Sequence, residues 1–183
     1  AVLAGLVELA ADRPGVVAID LAGGPAPKHD WSLADYRGPF AAAAELGLGR
    51  TVHAAEGRPA GEITTAIEEL GAQRIGHGTT LMDDPEVLGL VLERGVTIEA
   101  CPTSNVHTGA IASVAAHPLR RWLGAGVRVC VCPDNTLLSN VSAAQELARV
   151  CRDLDLSPAE RQQLIDNGHR AAFPTRQSQT RAD

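Results

Sequence analysis

The chain has 183 residues, 45% of them hydrophobic, enough for one globular domain with a core and too apolar for a disordered segment. A formal net charge of −6 and a pI near 5.5 give no electrostatic footprint for nucleic acid or an acidic membrane surface. The sequence has no apolar run of about 18 residues that would make a spanning helix, and its first residues lack the basic region of a secretory signal.

Residues 1–11 read as the end of a helix. The apolar run 16–21 is a strand, which a loop at Gly23-Gly24-Pro25 closes. A helix follows over 33–46 and stops at Gly47-Leu48-Gly49. The next strand covers 51–56. Residues 61–70 form a helix with Ile63, Ala66, Ile67 and Leu70 on one face, and 74–78 a strand. Asp83-Asp84 opens a helix over 85–93, and Gly95 stops it before a strand at 96–101. A helix at 118–123, a strand at 127–132 and a helix at 141–154 come next. Ser157-Pro158-Ala159-Glu160 has the cap, first-turn proline and box glutamate of a helix start, and that helix runs to about Phe173.

Five strands, each followed by a helix, predict α/β architecture. Strands without polar alternation are buried on both faces, as parallel strands are. The strand–helix pattern occupies 1–173, and a polar, flexible tail covers 174–183. Aromatics are only 3%, which suits tight packing of small apolar residues between helices and sheet. Cys101, Cys130, Cys132 and Cys151 contain no CxxC pair and read as reduced core thiols, fitting a reducing cytoplasm.

Polar residues collect at the strand ends. Asp20 and Gly23 stand at the end of the first strand, His53 and Glu56 at that of the second, and His77 at that of the third. The fourth ends at Cys101-Pro102-Thr103-Ser104-Asn105, and the fifth at Asp134-Asn135. In a parallel sheet all of these lie at one end, where a barrel of this type does its chemistry. Histidine and aspartate ligate zinc, and a carboxyl group beside a metal handles protons. A single buried histidine is more often a satisfied core residue, and Asp-Asn after a strand is a common turn. Recurrence on separate strands favours a site. His29, His107, His117 and His169 fall in loops or helices and read as structural.

The series Asp20-Leu21-Ala22-Gly23, Thr51-Val52-His53-Ala54-Ala55-Glu56, Arg74-Ile75-Gly76-His77-Gly78, Glu99 to Asn105, His117-Pro118 and Asp134-Asn135 resembles the adenosine deaminase family of metal-dependent barrel hydrolases. The resemblance extends from about Val16 to Phe173. It implies a partial TIM-type (β/α) barrel, about five of eight strand–helix units, with one Zn2+ per site. By the same resemblance His53 and Asp134 are zinc ligands, and Asp134 also contacts the attacking water. Glu56 protonates the purine N1, and His77 orients and helps deprotonate the water. Gly23 offers its backbone N–H to N3, and Asn135 stands where many members have an aspartate facing N7. The implied reaction is zinc-assisted addition of water to C6 of an adenosine-like nucleoside, with loss of ammonia.

Three departures accompany it. Ala55 replaces the family glycine, a small added volume that is tolerated where the backbone has negative φ. Asn135 replaces an aspartate and is expected to retune substrate choice. The family's His-x-His, which supplies two zinc ligands, is absent from this sequence, and five strands do not close a barrel whose typical length is about 250 residues. The expected partner is a second polypeptide carrying the first three strands and the His-x-His. The alternative is a non-catalytic purine-binding or stabilising subunit.

Overall fold

The computed structural model describes residues 2–13, 15–23 and 32–174. Gly24, Pro25, His29 and the expected tail beyond Pro174 lie outside them. Five strands, β1 (Ala18–Leu21), β2 (Gly49–Ala54), β3 (Arg74–His77), β4 (Thr97–Ala100) and β5 (Arg128–Val131), form one sheet in sequence order, every neighbouring pair parallel. Parallel neighbours need crossovers, and helices supply them. They are α2 (Arg37–Glu45), α3 (Gly61–Glu68), α4 (Pro85–Arg94), and between β4 and β5 the pair α5 (Pro102–His107) and α6 (Leu119–Gly124). Helix α1 (Val2–Ala11) precedes β1, and α7 (Thr136–Ser139), α8 (Ala143–Asp153) and α9 (Pro158–Ala171) follow β5. Among the described residues β1 and β5 each have a single strand neighbour, so both edges of the sheet are open.

The helix ends follow their capping chemistry. Asp84 accepts from the N–H groups of Glu86 and Val87, Pro85 fills the first turn, and Gly95 closes α4 at φ 60°. Ser157 and Glu160 form the capping box of α9, and Ser142 and Gln145 form one for α8. The helix expected over 33–46 is instead a 3-10 turn, Leu33–Tyr36, followed by α2. Pro39 has no N–H to donate back to the preceding turn, so the helix restarts there.

One sheet face packs on the helices. Ile19, Val52, Ile75, Ile98 and Val129, one from each strand, meet Phe40, Ile63, Val91, Leu119, Trp122 and Leu164 in a continuous core. The other face is largely buried too, with Thr51, Gly76, Thr97 and Cys130 all covered, but it is polar, which corrects the expectation of strands without polar alternation. Thr51, Arg74, Thr97 and Arg128 are register partners, as are His53, Gly76, Glu99 and Cys130. This alternation makes the second face polar, and there Thr51 Oγ1 donates to Glu99 Oε2 at 2.7 Å and Arg74 pairs with Glu99 Oε1 at 3.3 Å. The four cysteines are free thiols, with Cys101 and Cys130 buried. Among the described residues no helix is long and apolar enough to cross a membrane.

Candidate active site

The rim of the sheet is built from the C-terminal ends of the strands. His53 stands one residue from the end of β2, and its Nδ1 lies 3.2 Å from Asp20 Oδ1 on β1. That contact leaves Nε2 to face outward, the usual way a carboxylate orients a metal-binding imidazole. Gly76 on β3 makes room for the ring, since a Cβ there would come 3.3 Å from His53 Cγ and Nδ1. Burial opposes charge at His53, but the hydrogen bond and charge of Asp20, with Asp134 and Glu99, outweigh it, so its pKa is raised.

Strict alternation would aim His77 at the helices with Ile75. Its φ of 70° breaks the alternation, and the ring lies 4.7 Å from that of His53. His77 is buried, and its Nδ1 accepts from the Asn105 amide at 2.9 Å. In the neutral ring the proton therefore sits on Nε2. Burial holds its pKa low, and the neighbouring His53 adds to that against the pull of Glu56. Asn105 also donates to Glu56 Oε1 at 3.0 Å, where Thr108 Oγ1 donates at 2.8 Å. Glu56 Oε1 is 3.6 Å from His77 Nδ1. Ser104 Oγ donates to Asp134 Oδ2 at 2.6 Å.

The loop before Glu56 carries a correction. Ala55 has φ 57°, so the negative φ on which tolerance of the extra methyl was premised is not present. The left-handed turn is held because Glu62 accepts the Ala55 N–H at 2.8 Å and Thr79 donates to the Ala55 carbonyl at 3.0 Å. Among the described residues five non-glycine residues have positive φ, and three of them, Ala55, His77 and Asp134, lie on this rim. Such strain persists where surrounding contacts over-determine it, and it concentrates at functional sites. Gly23 has φ 86° just past β1, a conformation that glycine adopts without penalty. Asn135 caps α7, its Oδ1 accepting from Leu137 and Leu138, which leaves its amide nitrogen as the free end.

Sequence reasoning placed no role on Asp20, Ser104, Asn105 or Thr108. The signal available was the polar run Thr103-Ser104-Asn105 directly after a strand, all three residues buried. Its helix, α5, is too short to show periodicity. It is pinned from behind by Glu146 of α8, fully buried, which accepts from Thr103 N at 2.8 Å and Thr103 Oγ1 at 2.5 Å. Arg149 donates to the same hydroxyl at 2.7 Å. His117, read from sequence as structural, is buried just after the 3-10 turn Val114–Ala116 that precedes α6, with Nδ1 accepting from the Leu119 N–H. His107 and His169 are exposed.

Consecutive parallel strands, each followed by a helix, with titratable groups at their C-terminal rim make a segment of a (β/α) barrel. The model of the family described as adenosine deaminase matches residues 2–182, and the chain belongs to that family. It is 36% identical to an adenosine deaminase from Serratia proteamaculans over 92% of this chain and 50% of that protein. Its fold is similar to that of an adenine deaminase from Arthrobacter aurescens (TM-score 0.85, 30% identity, 94% of this chain and 52% of that one). It is likewise similar to an N6-methyl-AMP deaminase from Arabidopsis thaliana (TM-score 0.83, 26% identity, 94% and 50%). The chain spans about half the length of the curated relatives it matches.

Proposed function

We propose that this chain forms the proton-handling part of a zinc-dependent barrel that deaminates adenosine or a related 6-aminopurine nucleoside. The observation that carries the reading is the Asn105 amide, which donates to both His77 Nδ1 and Glu56 Oε1. It fixes His77 as an Nε2–H donor in its neutral form. It also ties down one oxygen of Glu56, leaving Oε2 to present a proton to the purine N1. Protonating N1 makes C6 electrophilic, the His77 Nε2–H orients the incoming water, and the Asp134 carboxylate accepts its proton. Water replaces the amino group, C6 becomes a carbonyl, and ammonia leaves. The Gly23 N–H meets N3, and the Asn135 amide nitrogen donates to N7.

The residues present fit half of a zinc site. His53 Nε2 and the Asp134 carboxylate are suitable donors, the first oriented by Asp20 and the second by Ser104. Among the described residues no group of three or more His, Cys, Asp or Glu is placed to hold a metal, whereas a catalytic zinc usually takes three protein ligands. Bound zinc would supply Lewis acidity and lower the pKa of its water towards about 7. The missing ligands come, in this reading, from a second polypeptide that carries the first three strands and a His-x-His. The open edges of β1 and β5 leave room for further strands to pair there. Val2, Leu6 and Leu9 of α1, exposed at 80%, 53% and 62%, offer such strands and their helices apolar surface to pack on.

The two-ligand count favours one other reading, a subunit that binds purines or stabilises an active homologue without turnover. Co-expression with a polypeptide bearing the first three strands of a family member separates the two. The expected result is one zinc per complex and conversion of adenosine followed by ultraviolet absorbance. Glu56→Gln should lower the rate by about 10²–10⁴-fold, the usual worth of a general acid. A panel of adenosine, deoxyadenosine, adenine and N6-methyl-AMP identifies the substrate. A metal-free wild-type complex, or an active Glu56→Gln complex, sinks the catalytic reading.

A further inference from the structure

At the opposite end of the sheet from the titratable rim lies a cavity of about 510 Å³. Arg74, Thr97 and Arg128 each open their strand, and they are register partners, so all three stand on the same face. Adjacent strands lie about 4.8 Å apart, which sets the two arginine stems about 10 Å apart. Arg94 from the last turn of α4 and Arg170 from the end of α9 add to the lining, which among the described residues has no acidic side chain. Four of the sixteen cationic side chains of an acidic protein thus converge on one concavity.

Their charge is only partly answered. Arg74 pairs with Glu99 at 3.3 Å, and the exposed Arg94 approaches Glu93 at 3.9 Å. Arg128 and Arg170 have no carboxylate partner among the described residues, so the cavity keeps a positive surplus. Arg74 is also held in position, its guanidinium 3.8 Å over the Phe173 ring. Its Nε is nevertheless buried with no acceptor among the described residues. Buried donors in folded proteins almost always have partners, so this Nε–H, on a residue that lines the cavity, is an unanswered donor beside it.

We propose that this cavity binds a compact polyanion of the phosphate class, a pyrophosphate unit either free or carried by a nucleotide. Arginine forks match phosphate oxygens in pairs, and stems about 10 Å apart suit a ligand with two anionic centres better than a single phosphate. The cavity volume accommodates such a group. The site is separate from the deaminase rim and does not depend on how that rim functions.

Titration calorimetry of the 183-residue chain in metal-free, low-salt buffer tests it, with pyrophosphate in one arm and cytidine diphosphate, which has no purine, in the other. Saturable one-to-one binding that weakens with added salt is expected. Arg128→Gln and Arg170→Gln should each weaken it about tenfold, and Arg121→Gln on α6 should leave it unchanged. Arg128 and Arg170 are exposed, so circular dichroism of these variants should match wild type. In the nitrogen-15 spectrum the Arg74 Nε–H resonance should shift on binding. Equal affinity in the two arms identifies the free anion, and tighter binding of the diphosphate a nucleotide. Absence of saturable binding, or equal binding by the folded double variant Arg128→Gln/Arg170→Gln, overturns the proposal.

Discussion

Lowering the pH from about 6 to about 4 is expected to weaken this fold through one buried imidazole. His117 is 4% exposed, accepts the Leu119 N–H at 3.1 Å, and meets Trp122 edge-on with centroids 5.0 Å apart. Burial, and then the neighbouring His77, lower its pKa from 6.5 to about 3. Between those two values the unfolded chain binds a proton that the folded chain refuses. Stability from the neutral ring is therefore complete above the unfolded value and drains away as pH falls towards the folded one. The limiting slope is about 1.4 kcal/mol per pH unit. Integrated from about pH 6 to about pH 4, the loss is about 2.5 kcal/mol, a large share of the stability of a typical domain. Urea unfolding of wild type and His117→Asn across this range measures it. Asparagine keeps an acceptor for Leu119 but does not titrate, so other acids cancel in the difference. Wild type should lose about 2.5 kcal/mol more than the variant. Parallel pH dependences would refute the assignment of His117 as a neutral, buried ring.

Ala55→Gly should stabilise the chain by about 0.5–1 kcal/mol in thermal unfolding, because a left-handed alanine costs about 1–2 kcal/mol and glycine returns part of that in unfolded-state entropy. Gly76→Ala should press a methyl against the His53 ring. The expected result is a lower zinc content in the assembled complex and a destabilisation of about 1–3 kcal/mol. Glu146→Ala strips the buried Thr103 N–H and O–H of their acceptor, and unfolding should become easier by about 2–4 kcal/mol, with Glu146→Gln losing less. If Glu146→Ala unfolds like wild type, α5 is not held from α8.

Much of the fold was legible because its signals are local. The stops at Gly95 and the cap-proline-box start at Ser157 rest on backbone chemistry within a few residues, and both occur as read. The order of strands and helices followed from the same punctuation. Helix α5 was not legible, since six residues starting from a proline carry too little periodicity. The polar sheet face was misread because Thr51, Arg74 and Glu99 each sit in a short apolar run, and they form one network only when three strands align.

The site divides the same way. The sequence alone pointed to the candidate groups: His53 and Glu56 at the end of one strand, His77 and Asp134 at the ends of two others, with Gly23 and Asn135 beside them. Side-chain type and the punctuation of parallel strands suffice for that. Only the tertiary structure decided how these groups are held. Asn105 reaches Glu56 and His77 across 49 and 28 residues, and Ser104 reaches Asp134 across 30. Left-handed φ values at Ala55, His77 and Asp134 aim the rim in ways that their residue types do not announce. The arginine cavity exists only because Arg74, Thr97 and Arg128 fall into register. Register and long-range hydrogen bonds depend on residues far apart in the chain, and no short window of sequence contains both partners.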